Sequence, residues 1–182
     1  MPPLAMIPGW HTYNIFEDAL HDDHIGLRLD ASGSILKELC AEGFWGDPPS
    51  SGTWQHKLDV PLGRAHRSFK SWCKIKKTQV SQPLFSRLQL SMTVRTDFPV
   101  LKAKARNSVY VSEWLLQCCT ESRSHSDSEH KRQRQLLMHG FMTFYNVIHD
   151  ARPRIVLSAA EIQSLKEARE MICFCYHWLA HM

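Results

Sequence analysis

The sequence has no apolar run approaching the roughly eighteen residues that a bilayer-spanning helix requires, so a membrane span is not expected. Its first ten residues, MPPLAMIPGW, lack both a basic segment and a long apolar stretch, which excludes a secretory signal of the ordinary kind. No GxSxG nucleophile turn and no HExxH helix occurs, and the nearest glycine-rich stretch, Gly43-Phe44-Trp45-Gly46, does not match a phosphate-cradling loop. A spaced disulfide framework is missing too. The six cysteines are Cys40, Cys73, the adjacent Cys118 and Cys119, and the CxC pair Cys173 and Cys175. Several fall on expected helix faces, where a free thiol behaves as a small hydrophobe. They read as reduced thiols of an intracellular protein, cytoplasmic or nuclear. Acid is nearly absent from one region: between residues 61 and 110 there are eleven Lys/Arg and one acid, Asp97.

What is present is a chain of 182 residues, 43% apolar, with six Trp and eight Phe. That is the size and composition of one packed domain, able to bury about 70% of the surface its unfolded chain exposes. The net charge of +4 is unevenly spread. Residues 1–60 carry three Lys/Arg against nine Asp/Glu, and residues 111–182 carry eight of each. Two explanations follow. A basic middle third of this kind binds an anionic partner, either nucleic acid or an acidic protein, or it is balanced internally by the acidic first third.

The strongest local pattern lies between Leu58 and Pro83. Leu58, Leu62, Ala65, Phe69, Trp72 and Cys73 recur at helical spacing and share one face. Arg64, Arg67, Lys70, Lys74 and Lys77 fall on the other side. Thr53 is a good N-cap for this helix, which should run to about Lys77. Pro61 implies a kink or a true start nearer itself, and Pro83 a stop by Val80–Pro83.

The rest of the chain reads as helices separated by breaks. Residues 1–15 are Pro-rich and expected to form an extended arm. A short helix is expected over Phe16–Leu29, a break at Asp30–Ser34, and a second short helix over Ile35–Glu42 ending at Gly43. Residues 84–96 match no single pattern. Asp97-Phe98-Pro99 has the signature of a helix start, and the helix should reach Thr120. Its basic first half carries Lys102, Lys104 and Arg106. Its second half is apolar nearly all round, as in a central helix. Ser122–Ser128 should be a loop, with Ser126 and Glu129 as a capping box for a helix to His149. Ser158 and Glu161 form another capping box, opening a last helix that no Gly or Pro closes.

Two constellations carry metal-ligating atoms. His21-Asp22-Asp23-His24 offers imidazole and carboxylate donors suited to zinc or a harder ion, without a recognisable third-ligand spacing. The alternative is a solvated polar face. Cys173, His177 and His181 align at i, i+4 and i+8 on one helix face, but that row needs ligands from elsewhere and otherwise is a semi-polar boundary. The third candidate is the cationic set Arg64, Arg67, Lys70, Lys74, Lys77, Lys102, Lys104 and Arg106. Each can contact a phosphate, giving affinity without sequence information.

Trp54-Gln55, Phe69-Lys70-Ser71-Trp72, Ser81-Gln82-Pro83, Leu101-Lys102-Ala103-Lys104-Ala105 and Trp114-Leu115 follow one another in a characteristic succession. It is similar to an uncharacterised helical family multiplied in dinoflagellate algal genomes, with some members associated with mobile elements. The resemblance runs from about His24 onward. It implies a helical fold and a chain that continues past the last residue here, and it transfers no site residues.

The expected architecture is all-α, an irregular bundle of about five to six helices with a Pro-rich N-terminal arm, in one domain over 1–182. The expected function is that of a non-enzymatic helical module binding nucleic acid or an acidic partner through its basic middle third. The alternative is a metal-dependent enzyme or metal-stabilised domain using His21, Asp22, Asp23 and His24 or the Cys173 row.

Overall fold

The computed structural model describes residues 26–152 and 156–181. The expected N-terminal arm, most of the Phe16–Leu29 helix and the His21–His24 set lie outside them. Among the described residues the fold is all-α, with five helices and no strand: α1 Arg28–Ala41, α2 Trp54–Ile75, α3 Ala105–His125, α4 Glu129–Ala151 and α5 Ala159–Ala180.

Three starts are set by hydroxyl caps. Thr53 accepts from the His56 amide, Ser128 from Lys131 and Ser158 from Glu161, the last in a complete capping box. Two ends have the geometry of a Schellman stop. After α1 the Gly43 amide donates to the Cys40 carbonyl and Phe44 to Leu39, with Gly43 at φ +74°. After α2 the Lys77 amide donates to Lys74 and Thr78 to Cys73, but here the left-handed position, φ +53°, is held by lysine. A lysine there gives up about 1 kcal/mol relative to glycine.

α3 packs against α1, α2 and α4, while α5 packs mainly on α4. The central position expected for the third helix is therefore found. Its hub is aromatic. Phe69 of α2, Phe85 of the following segment and Trp114 of α3 lie 5.4 to 6.0 Å apart, and Trp45 stacks on Trp114 at 5.3 Å. Leu62, Ala65, Phe69, Trp72 and Cys73 are all buried, so the apolar row of α2 faces the core. Pro61 sits inside α2, which starts at Trp54 and not near the proline.

Three local expectations fail, the first two because a distant contact overrides local chemistry. Asp30–Ser34 is no break: α1 runs straight through it. The segment 99–101 crosses so closely that a Cβ on Gly33 would overlap the Pro99 carbonyl oxygen and lie 2.8 Å from its carbon. Ser32 meets Ser112 of α3 at 3.5 Å. Small residues are thus required there by packing. Asp97 does not start α3. Its carboxylate accepts from the Thr93 amide and hydroxyl and from the Val94 amide, closing a turn behind itself. These bonds hold its carboxyl below the usual range. Residues 100–102 stay extended because their amides donate to Leu90, Leu29 and Gln89. α3 begins only at Ala105. Finally, α3 continues to His125 through the expected loop, and Ser128 replaces Ser126 as the next cap. Arg123 pairs with Asp127 at 2.8 Å and donates to Gln135 of α4, stabilising the extra turn.

The α1–α4 contact is ionic. Arg134 is fully buried and pairs with Glu42 at 2.6 and 3.0 Å and with Glu38 at 3.1 Å. His130 also reaches Glu38, at 2.9 Å. Burial alone would lower the Arg134 pKa, but the Glu42 and Glu38 carboxylates outweigh it and hold the guanidinium charged. Arg28, equally buried, donates to the Phe141 carbonyl at 3.0 Å and lies over its ring.

Candidate nucleic-acid interface

The antiparallel run of α2 past α3 brings the two basic stretches to one end of the molecule. The Trp72 indole donates to Gln117 at 3.1 Å, and one turn later Lys76 pairs with Glu113 at 2.8 Å. Beyond the end of α2, Thr78 hydrogen-bonds the Tyr110 hydroxyl, which also meets Arg106. Together they hold the Tyr110 phenol below its usual pKa. Gln82 then donates to the Lys102 carbonyl at 3.1 Å. Residues 78–82 therefore join the C-terminal end of α2 to the lead-in and first turn of α3.

The eight cations expected to form the site fall into two groups. Arg64 and Lys70 are half-buried and tie down loops. Arg64 donates to the Asp47 carbonyl at 2.9 Å and Lys70 to the Val80 carbonyl at 2.9 Å. Arg67, Lys74, Lys77, Lys102, Lys104 and Arg106 are exposed. Among the described residues no carboxylate pairs with any of these six. The described acids of the first third go elsewhere. Glu38 and Glu42 hold Arg134, and Asp59 pairs with Arg87 at 3.5 Å while accepting its amide at 2.7 Å.

Phe69 and Trp72 face the core, leaving no aromatic of α2's apolar row for base stacking. The surface at this end is cationic and suited to a phosphate backbone rather than to base edges.

The Cys173 row is brought together only in part. All three side chains are exposed, and the His177 and His181 rings lie 4.3 Å apart. Among the described residues no three His, Cys, Asp or Glu side chains are grouped to hold a metal ion. Five of the six thiols are buried. Loss of solvation pushes Cys40 and Cys119 up to about 12, and Cys73, Cys118 and Cys175 also rise. Such thiols are poor nucleophiles.

Two functional-looking features escaped the sequence. Arg134 lies three and seven residues before Leu137 and Phe141, on the core face of α4, and that spacing was the available signal for its burial. Asn107 carries the same signal: Val111 and Trp114 follow it at four and seven residues on the core face of α3, and it is buried.

No family model matches the chain, and neither does any curated protein or solved structure. Among the described residues no helix is long and apolar enough to cross a membrane.

Proposed function

We propose that this protein is a non-enzymatic helical module that binds nucleic acid through the basic end of α2 and α3. One observation carries this: Arg67, Lys74, Lys77, Lys102, Lys104 and Arg106 are exposed along the C-terminal half of α2 and the start of α3, with no carboxylate pairing to them among the described residues. Unpaired cations on a rigid pair of helices release counterions from a polyanion, which supplies affinity independent of base sequence. The buried aromatics leave backbone contact as the mode of binding. Free thiols throughout the fold support an intracellular site of action, cytoplasmic or nuclear.

A salt series tests the proposal. Binding of a fluorescent single-stranded or duplex oligonucleotide should weaken linearly on a log–log plot. The slope should reflect about four to six phosphate contacts. A flat series, or binding of an acidic polypeptide in preference to the oligonucleotide, would overturn the nucleic-acid assignment.

A further inference from the structure

We infer that the groove between α4 and α5, beyond the point where α1 begins, is the docking site of the chain's own residues 16–25. This surface is separate from the basic end of α2 and α3, and the inference does not depend on what binds there.

α1 lies across α4 and α5 in a fixed register. Its Arg28 sits over the Phe141 ring at 5.2 Å, and its Glu38 and Glu42 hold Arg134. Its Asp30 hydrogen-bonds the Tyr176 hydroxyl of α5, and Ser34 and Ile35 share a cavity of about 200 Å³ with Leu179 and Ala180. α1 therefore runs antiparallel to α4 and parallel to α5. At 100° per residue, Tyr145 and Ile148 fall within about 40° of Arg134 and Phe141 on α4. On α5, Arg169, Leu165 and Ile162 fall within about 40° of Tyr176. The two rows that receive α1 thus continue past its first residue. Tyr145, Ile148 and Leu165 are half-buried there, and Ile162 is 42% exposed.

The chain itself supplies the occupant. The twenty-five residues that precede the described ones join the fold at this spot, and the backbone is already helical at Gly26 and Leu27. Phe16, Leu20, His24 and Leu27 recur at helical spacing. Continued backward from α1, ten residues of helix span about 15 Å, the length of α4 from Phe141 to Ala151. Charge agrees with this placement. Residues 16–25 carry Glu17, Asp18, Asp22 and Asp23, and no Lys or Arg precedes Arg28. The α5 row carries Arg169, and α4 ends at the exposed Arg152. A second copy of the chain would have to reach the groove from solution. The segment is tethered at its mouth and meets it at an effective concentration of about millimolar, which favours the intramolecular contact.

Photo-crosslinking of the full chain tests the inference. Tyr145→benzoylphenylalanine keeps an aromatic ring at the groove and captures what lies against it on irradiation. Digestion and mass spectrometry should find the crosslink on residues 16–25 of the same chain. Leu20→Asp, outside the described core, should abolish that crosslink and lower the folding equilibrium constant by about tenfold in urea denaturation. A crosslink between two chains would give the groove to a second copy and overturn the inference. Absence of any crosslink to residues 16–25, or a Leu20→Asp variant with unchanged stability and crosslinking, would also overturn it. The same probe at Lys104 should not capture the segment. Capture there instead of at Tyr145 would place the four acids over the basic end and contradict the docking site proposed here.

Discussion

The α1–α4 contact and the open end of α2 and α3 use the same side chains in opposite ways. At the first, Arg134 is fully buried and met by Glu38 and Glu42 at hydrogen-bond distance. At the second, six Lys and Arg are exposed with no acid among the described residues holding them. A buried cation is fixed because removing its partner strands a charge in a low-dielectric interior. An exposed cation has no such hold on the fold and is free to meet a partner. Counting charge by thirds of the chain merges these two uses, and only the positions of Glu38 and Glu42 separate them.

Substitutions that break the comparison should differ sharply in size. Arg134→Ala removes a fully buried side chain and its hydrogen bonds to Glu38 and Glu42, whose carboxylates are part-exposed, and should cost about 2–4 kcal/mol in urea denaturation, without altering oligonucleotide affinity once folded. A loss under about 1 kcal/mol would show that the α1–α4 pairs are incidental. Gly33→Ala pushes a Cβ into the backbone of Pro99, which cannot give as a side chain would, and should cost about 3 kcal/mol. A neutral result would mean that segment 99–101 does not cross α1 as closely as described. At the basic end the signs change. Lys77→Gly relieves the left-handed backbone at φ +53° and should stabilise the fold by about 1 kcal/mol. The same change should reduce the salt slope of oligonucleotide binding by about one. Lys74→Gln should leave stability within about 0.5 kcal/mol and lower the slope by the same amount. Equal slopes for Lys74→Gln and the unaltered protein would remove Lys74 from the interface.

The sequence-level picture was strongest where local chemistry decides. Thr53 and Ser158 cap the helices they were expected to cap, Gly43 follows the end of α1, and the six-residue apolar row of α2 faces inward apart from its half-buried first member, Leu58. It failed where a segment distant in sequence decides. Asp30–Ser34 looks like a break until the backbone of Pro99–Leu101 is laid against Gly33. Asp97 is a good helix cap in isolation, but the amides of residues 100–102 are engaged by Leu90, Leu29 and Gln89 before a helix can form. The cationic side of α2 could be drawn from spacing alone. That Arg64 and Lys70 are spent on the carbonyls of Asp47 and Val80 could not, because it depends on where two loops return.

Neutralising the open end as a unit separates the two uses of charge most directly. A variant with Arg67, Lys74, Lys77, Lys102, Lys104 and Arg106 all changed to Gln is compared with the unaltered protein by urea denaturation and by oligonucleotide binding at low salt. If these cations serve a partner, stability stays within about 1 kcal/mol, helped by reduced like-charge repulsion, and binding is lost. A loss of about 3 kcal/mol or more with binding retained would contradict this, showing that the cations are held internally and that the partner meets another surface.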